Sequence, residues 1–268
     1  MNRIIILFSL VFLTALESVA QEGPKNNSRK ARREEKRRTA MAQLKQEEEG
    51  VLAYYKQNVF GAELRTNGFG FFYEIGRMKS PRSTVLYSLE LSEIFHPKEE
   101  KINTDLFGNS FKYGKINNFY QAKLGYGRQY ILGQKGNKNG VAVLGIYQGG
   151  LSAGFEKPYY LDIQESGSRQ RSIKYNGNED VFVNGPSGGA INGSSGIGKG
   201  WSEVKVRPGA FVKAALRFDF GAFNESITAL EIGISADGYA KEIQQMVFTS
   251  PTRFFYQGHI AIVFGSRK

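Results

Sequence analysis

Between positions 59 and 264 the apolar residues recur at every second position in short blocks separated by turn signals, which predicts strands. The clearest block is 209–220. One row reads Val212, Ala214, Leu216, Phe218 and Phe220; the other reads Phe211, Lys213, Ala215, Arg217 and Asp219. Seven more segments are predicted at 59–66, 69–77, 84–93, 118–132, 141–155, 227–237 and 254–264. In 84–93, Tyr87, Leu89 and Leu91 oppose Ser88, Glu90 and Ser92, with Val85 on the apolar row. In 227–237, Leu230, Ile232 and Ile234 oppose Glu231, Ser235 and Asp237. The block 141–155 is apolar on both rows, so its facing is open. Thr66-Asn67-Gly68 favours a tight hairpin. Alternatively 59–77 is one kinked strand, and 159–164 supplies another elsewhere.

Connections 78–83, 133–140 and 221–226 are short, whereas 94–117, 156–208 and 238–253 are long. An even strand count with alternating loop lengths predicts a closed antiparallel barrel, all-β and transmembrane, with eight strands. Short turns and both termini then fall in the periplasm, and the long loops outside. A soluble sandwich would alternate too. Charges on one row against aromatics on the other, with Tyr and Phe near strand ends, favour the membrane. Glu74, Glu90, Lys123, Lys213, Arg217, Asp219, Glu231 and His259 are expected inside as a polar network. Eight strands leave an interior that side chains fill, so conduction is not expected.

The ends of the chain differ from this middle. Residues 1–20 have a basic start, an apolar run and a small-residue site, as a signal peptide has. Residues 21–57 form a basic tail expected in the periplasm, a flexible linker at 21–28 followed by good helix formers over 30–49, with the barrel at 58–268. Arg29, Arg32, Arg33, Lys36, Arg37 and Arg38 offer a partner-docking run, although neighbouring Glu residues dilute its charge. The chain has no cysteine, hence no disulfide and no thiolate metal site. Its net charge of +11 suits anionic surfaces such as lipopolysaccharide. Export argues against nucleic acid.

Little in the sequence points to catalysis. Gly193 to Gly200 nearly matches a phosphate loop, but Gly200 replaces the hydroxyl that holds magnesium. His96 and His259 are the two histidines, with no metal-ligand spacing. Ser88 or Ser92 with His96 is the one arrangement that could serve a lipid A hydrolase or acyl transferase. Ser92 and His96 share a face only if the strand continues, and Pro97 argues against that.

The stretches FHPKEE (95–100), YGKINNFY (113–120), KPYYL (157–161), VRPGAFVKAALRFDFG (206–221) and ALEIGISADGYAK (229–241) resemble a family of outer-membrane β-barrel proteins of the Bacteroidota. The resemblance implies a barrel and a place in the outer membrane; it brings no catalytic residues. The expectation is a non-enzymatic barrel without cofactor, an accessory or structural subunit of a larger outer-membrane complex for protein assembly, secretion or import. The competing expectation is a free-standing barrel that contacts lipopolysaccharide or another surface through the loop 156–208. Partners expected are outer-membrane lipid, lipopolysaccharide, and other outer-membrane or periplasmic proteins.

Overall fold

The structure, a computed structural model, describes residues 32–38, 41, 54–104, 110–136, 140–165, 170–221 and 225–268. The chain divides into two units, 1–48 and 49–268. In the first, residues 32–38 are helical and exposed, so Arg32, Arg33, Lys36, Arg37 and Arg38 sit on a helix. Arg29 and the leader 1–20 lie outside the described residues.

The second unit is built on eight strands: β1 (Lys56–Arg65), β2 (Gly68–Ser80), β3 (Ser83–Ile94), β6 (Asn117–Gly133), β7 (Ala142–Pro158), β11 (Lys205–Asp219), β12 (Ser226–Ile243) and β13 (Thr252–Arg267). They close antiparallel in the order β1-β13-β12-β11-β7-β6-β3-β2. All eight predicted segments are barrel strands, each longer than its periodic block. The stretch 59–77 is a hairpin, with Arg65 opposite Gly68. Strand β1 starts at Lys56, two residues before the expected barrel boundary at 58, and Tyr54 is already buried.

One row of paired residues runs Arg77, Val85, Arg128, Tyr147, Ala214, Ile234, Gly258 and then Thr66. It returns to β2 opposite Thr66, at Asn67, ten residues from its start (77 minus 67). With strands ~4.8 Å apart and ~3.3 Å per residue, a stagger of ten over eight strands tilts them about 40°. The row therefore climbs from the end holding the short turns (the turn end) to the end holding the long connections (the loop end).

The tilt sets two faces. Every strand turns an apolar side chain outward that is more than half exposed: Leu64, Phe71, Leu91, Leu124, Leu151, Val212, Ile234 and Ile260. Val85 lies on the same outward row yet is buried, between Arg77 and Arg128 in register. The inward side of β7 resolves the ambiguity of 141–155. Ala142, Leu144 and Ile146 fill the turn-side half, and Gln148, Ser152 and Glu156 line the upper half.

The long connections fold on top. Residues 95–116 hold a two-stranded sheet, β4 (Lys101–Ile102) with β5 (Phe111–Lys112). Between β7 and β11 lie β8 (Tyr160–Gln164), β9 (Gln170–Lys174) and β10 (Ala190–Ser194), paired in the order β10-β8-β9, and a short helix, Glu179–Asn184. The segment 159–164 is thus a strand, but in this sheet and not in the barrel. Phe111, Tyr159, Leu161, Ile163, Ile173 and Phe182 give the layer its own apolar core.

Candidate functional site

The interior is layered by chemistry. Toward the turn end lies an apolar layer: Val59, Phe72, Ile227, Ala229, Ala261 and Val263 form one cluster, with Leu86, Ile146 and Ala215 a second. Above them lies a polar belt drawn from all eight strands, charged on every strand but β7, which supplies Gln148. Arg217 donates to Glu231 at 2.8 Å through Nε and to Glu74 at 2.6 Å through Nη2. The second oxygen of Glu74 accepts from Gln148 at 2.7 Å, and Ser88 donates to Gln148 at 2.8 Å. Glu231 also meets Lys213 at 2.9 Å and His259 at 3.2 Å. Lys123 bridges Glu90 at 3.1 Å and Asp237 at 2.8 Å. Arg65 lies 3.4 Å from both Glu63 and Glu90 and donates to Ser92 at 2.8 Å. Lys213 also sits over Phe72, 4.8 Å from its ring, and Lys123 over Phe211 at 5.2 Å.

A charge taken out of water is tolerable only when it is paired and hydrogen-bonded. Each of these ions has an opposite charge within 4 Å, and Arg217, Glu74, Glu231 and Arg65 are hydrogen-bonded as well, so the belt is a filled layer and not a lining. It is closed above by aromatics: Phe119 stacks on Phe255 at 5.3 Å and meets Tyr239 edge-on at 5.4 Å, with Ile94 and Ile243 beside them. At the turn end Asp219 binds Arg267 and lies 3.6 Å from Lys135, while Tyr54 shares hydrogen bonds with Thr84 at 2.8 Å and Gln129 at 2.9 Å.

All eight residues expected in the lumen are buried there. Seven of them, Glu74, Glu90, Lys123, Lys213, Arg217, Glu231 and His259, join the belt; Asp219 belongs to the separate turn-end cluster. Glu63 and Arg65 on β1 complete the belt and were not anticipated. Alternation along β1 could have found them, because Gln57, Val59, Gly61, Glu63 and Arg65 share its inward row.

The serine–histidine arrangement does not form. Strand β3 ends at Ile94, before His96. Ser92 is held inside by Arg65 and Gln121, and the His96 Nδ1 accepts from the Lys98 backbone at 3.2 Å. The glycine-rich stretch is no phosphate loop either. Gly193 lies within β10, and Lys199 hydrogen-bonds Ser172. Among the described residues no cluster of His, Asp and Glu is arranged to hold a metal ion.

The loop end instead presents a cleft of about 340 Å³ between the barrel rim and the upper sheet. Its charges are mixed. Arg207 grips Glu156 at 2.7 and 3.0 Å, Lys174 pairs with Glu203, and Lys205 and Glu242 stand on the rim. The neighbouring connection is clasped by Glu99, which binds Lys112 and lies 2.6 Å from Lys115. Burial pushes the Lys115 amine down to about 8, against the attraction of Glu99. The Glu99 carboxyl is held below its usual range by Lys115 and Lys112, which outweigh its own burial.

These features define an eight-stranded antiparallel β-barrel whose interior is closed by its own side chains and whose loop end carries a folded layer. No family model matches the sequence, and no curated protein matches it. Among solved structures, the attachment invasion locus protein Ail of Yersinia pestis is similar at 7% identity and a TM-score of 0.36, over 81% of this chain and all of that one. Neisserial surface protein A is similar at 8% identity and a TM-score of 0.39, over 80% of this chain and 97% of that one. The N-terminal β-barrel domain of Pseudomonas aeruginosa OprF is similar at 10% identity and a TM-score of 0.34, over 80% and 99%. At this level the likenesses are slight, and the barrel assignment rests on the strand pairing itself.

Proposed function

We propose that this chain is a non-conducting, non-enzymatic outer-membrane barrel that serves as an accessory or structural subunit of a larger envelope complex, its basic tail in the periplasm. One observation supports this above the others: an apolar belt on the outside surrounds an interior that is filled and ion-paired. Soluble monomers rarely expose contiguous apolar surface beyond a few hundred Å², whereas a lipid-facing barrel requires it. A filled interior leaves the chain no transport route of its own, so its work falls to its surfaces. The layer over the loop end has its own core and is suited to docking.

The cleft beside Arg207 and Glu156 favours a second reading, a free-standing barrel that contacts a surface ligand there. Gentle extraction with a tag after Lys268 separates the two. Co-purification of a stoichiometric partner, lost when 29–49 are deleted, is the outcome expected of a subunit. A monomer with no partner sinks that reading and moves the search to the cleft.

A further inference from the structure

Cations are rare on the outward wall among its apolar side chains, and three of them, Lys56, Arg77 and Arg128, share one row. Arg77 on β2 and Arg128 on β6 flank Val85 in register. Val85 is only 7% exposed, consistent with the aliphatic stems of both arginines lying over it. Among the described residues neither arginine pairs with a carboxylate. The Arg128 guanidinium reaches the Tyr130 hydroxyl at 3.5 Å, which in turn lies 3.4 Å from the Tyr147 hydroxyl. A guanidinium on a lipid-facing wall costs roughly 2–4 kcal/mol at mid-membrane and little at the interface. An unpaired arginine beside two phenols therefore suits the headgroup level and an anionic partner.

A furrow starts at the same place. Tyr130, Leu132, Tyr147, Ala214, Leu216 and Ile232 line a groove of about 480 Å³. Small residues make its floor: Gly145 lies between Tyr130 and Leu216 in register, and Ala214 lies between Tyr147 and Ile234. A second groove of about 490 Å³ shares Ala214 and Ile234 and continues to Ala236 and Gly258. This is the row that climbs from the turn end toward the loop end. The furrow thus rises from the arginines into the middle of the apolar belt.

We infer that this wall is a binding site for one glycerophospholipid of the leaflet at the turn end. Its phosphate is held by Arg128 and Arg77 with the Tyr130 and Tyr147 hydroxyls, and one acyl chain lies in the furrow. Charge complementarity selects the phosphate, and the apolar groove that begins beside it selects a lipid. The inference rests on the membrane reading above.

The test inserts the full chain into vesicles of phosphatidylethanolamine and phosphatidylglycerol, checks insertion by flotation, releases the protein into mild detergent and weighs it by native mass spectrometry. The wild type is expected to retain one phospholipid. Replacing both arginines, Arg77→Gln with Arg128→Gln, should lower its occupancy about tenfold. Ala214→Phe, which fills the furrow and leaves the arginines in place, should lower it too. A wild type that floats but emerges without lipid, or variants that keep as much lipid as the wild type, overturns the site alone. A wild type that fails to float overturns the membrane reading and the site with it.

Discussion

Arg217 on β11 and Glu74 on β2 meet 2.6 Å apart although their strands stand four places from each other in either direction round the ring. The contact spans the lumen as a strut. Removing one member leaves the other buried and poorly paired, which costs about 3–5 kcal/mol. Arg217→Met should therefore lower barrel stability by that amount in urea titrations in micelles. The double change with Glu74→Gln should recover part of the loss, because Glu231 keeps Lys213 and His259. Equal stability of Arg217→Met and wild type would mean that the strut contributes nothing.

Arg267 is the last residue of β13 and lies within the turn-end cluster, where it binds Asp219. Arg267→Ala leaves Asp219 with Lys135 and the Gly221 backbone amide. A lost charge-assisted bond of this kind is worth about 2–3 kcal/mol, read again as a shift in the urea midpoint. The same change should leave the loop end untouched, so protease resistance of 95–116 serves as the control.

The loop-end clasp responds to pH in two windows. The Glu99 carboxyl has a depressed pKa, so its contribution is complete above its ordinary value of 4.5 and is lost as pH falls through the lower folded value. Lys115 behaves in the opposite sense. Its folded pKa of about 8 lies below the ordinary 10.5, so between these values the folded loop binds fewer protons than the open one. The folded loop therefore gains stability over the open one as pH rises through that window, because the buried amine sheds its charge, even as its ion pair with Glu99 is lost. Limited proteolysis of 95–116 across pH reads both effects, and Glu99→Gln should abolish the acid transition.

How much of this was legible in the sequence follows from lumen polarity. Where the interior is charged, as around Lys213, Arg217 and Glu231, inward and outward rows differ and period two assigns them. In β7 the inward row passes from Ala142, Leu144 and Ile146 to Gln148, Ser152 and Glu156 as it rises from the apolar half to the polar half. A pattern that changes with depth reads as apolar on both faces. The five-residue strands of the upper sheet are too short for periodicity to place, and 159–164 was recognisable as extended but not as belonging outside the barrel. Contact between Ser92 and His96 depended on β3 continuing past Ile94, which Pro97 and the turn at His96 prevent.

Sealing is also a matter of aromatic packing. Phe119 is fully buried between Tyr239 and Phe255, above the charged belt. Phe119→Ala removes about 3–5 kcal/mol of packing and opens a cavity at the loop end. Belt residues remain paired beneath it, so the variant should lose stability in urea without gaining conductance.

Single-channel recording of the purified full-length protein in planar bilayers, with flotation confirming insertion, decides whether the chain is a membrane-inserted barrel with a closed interior. A sealed barrel inserts without passing current at any modest applied voltage. A steady, reproducible conductance from the intact wild type would contradict it, since a continuous water path cannot coexist with the ion-paired belt spanned by Arg217 and Glu74.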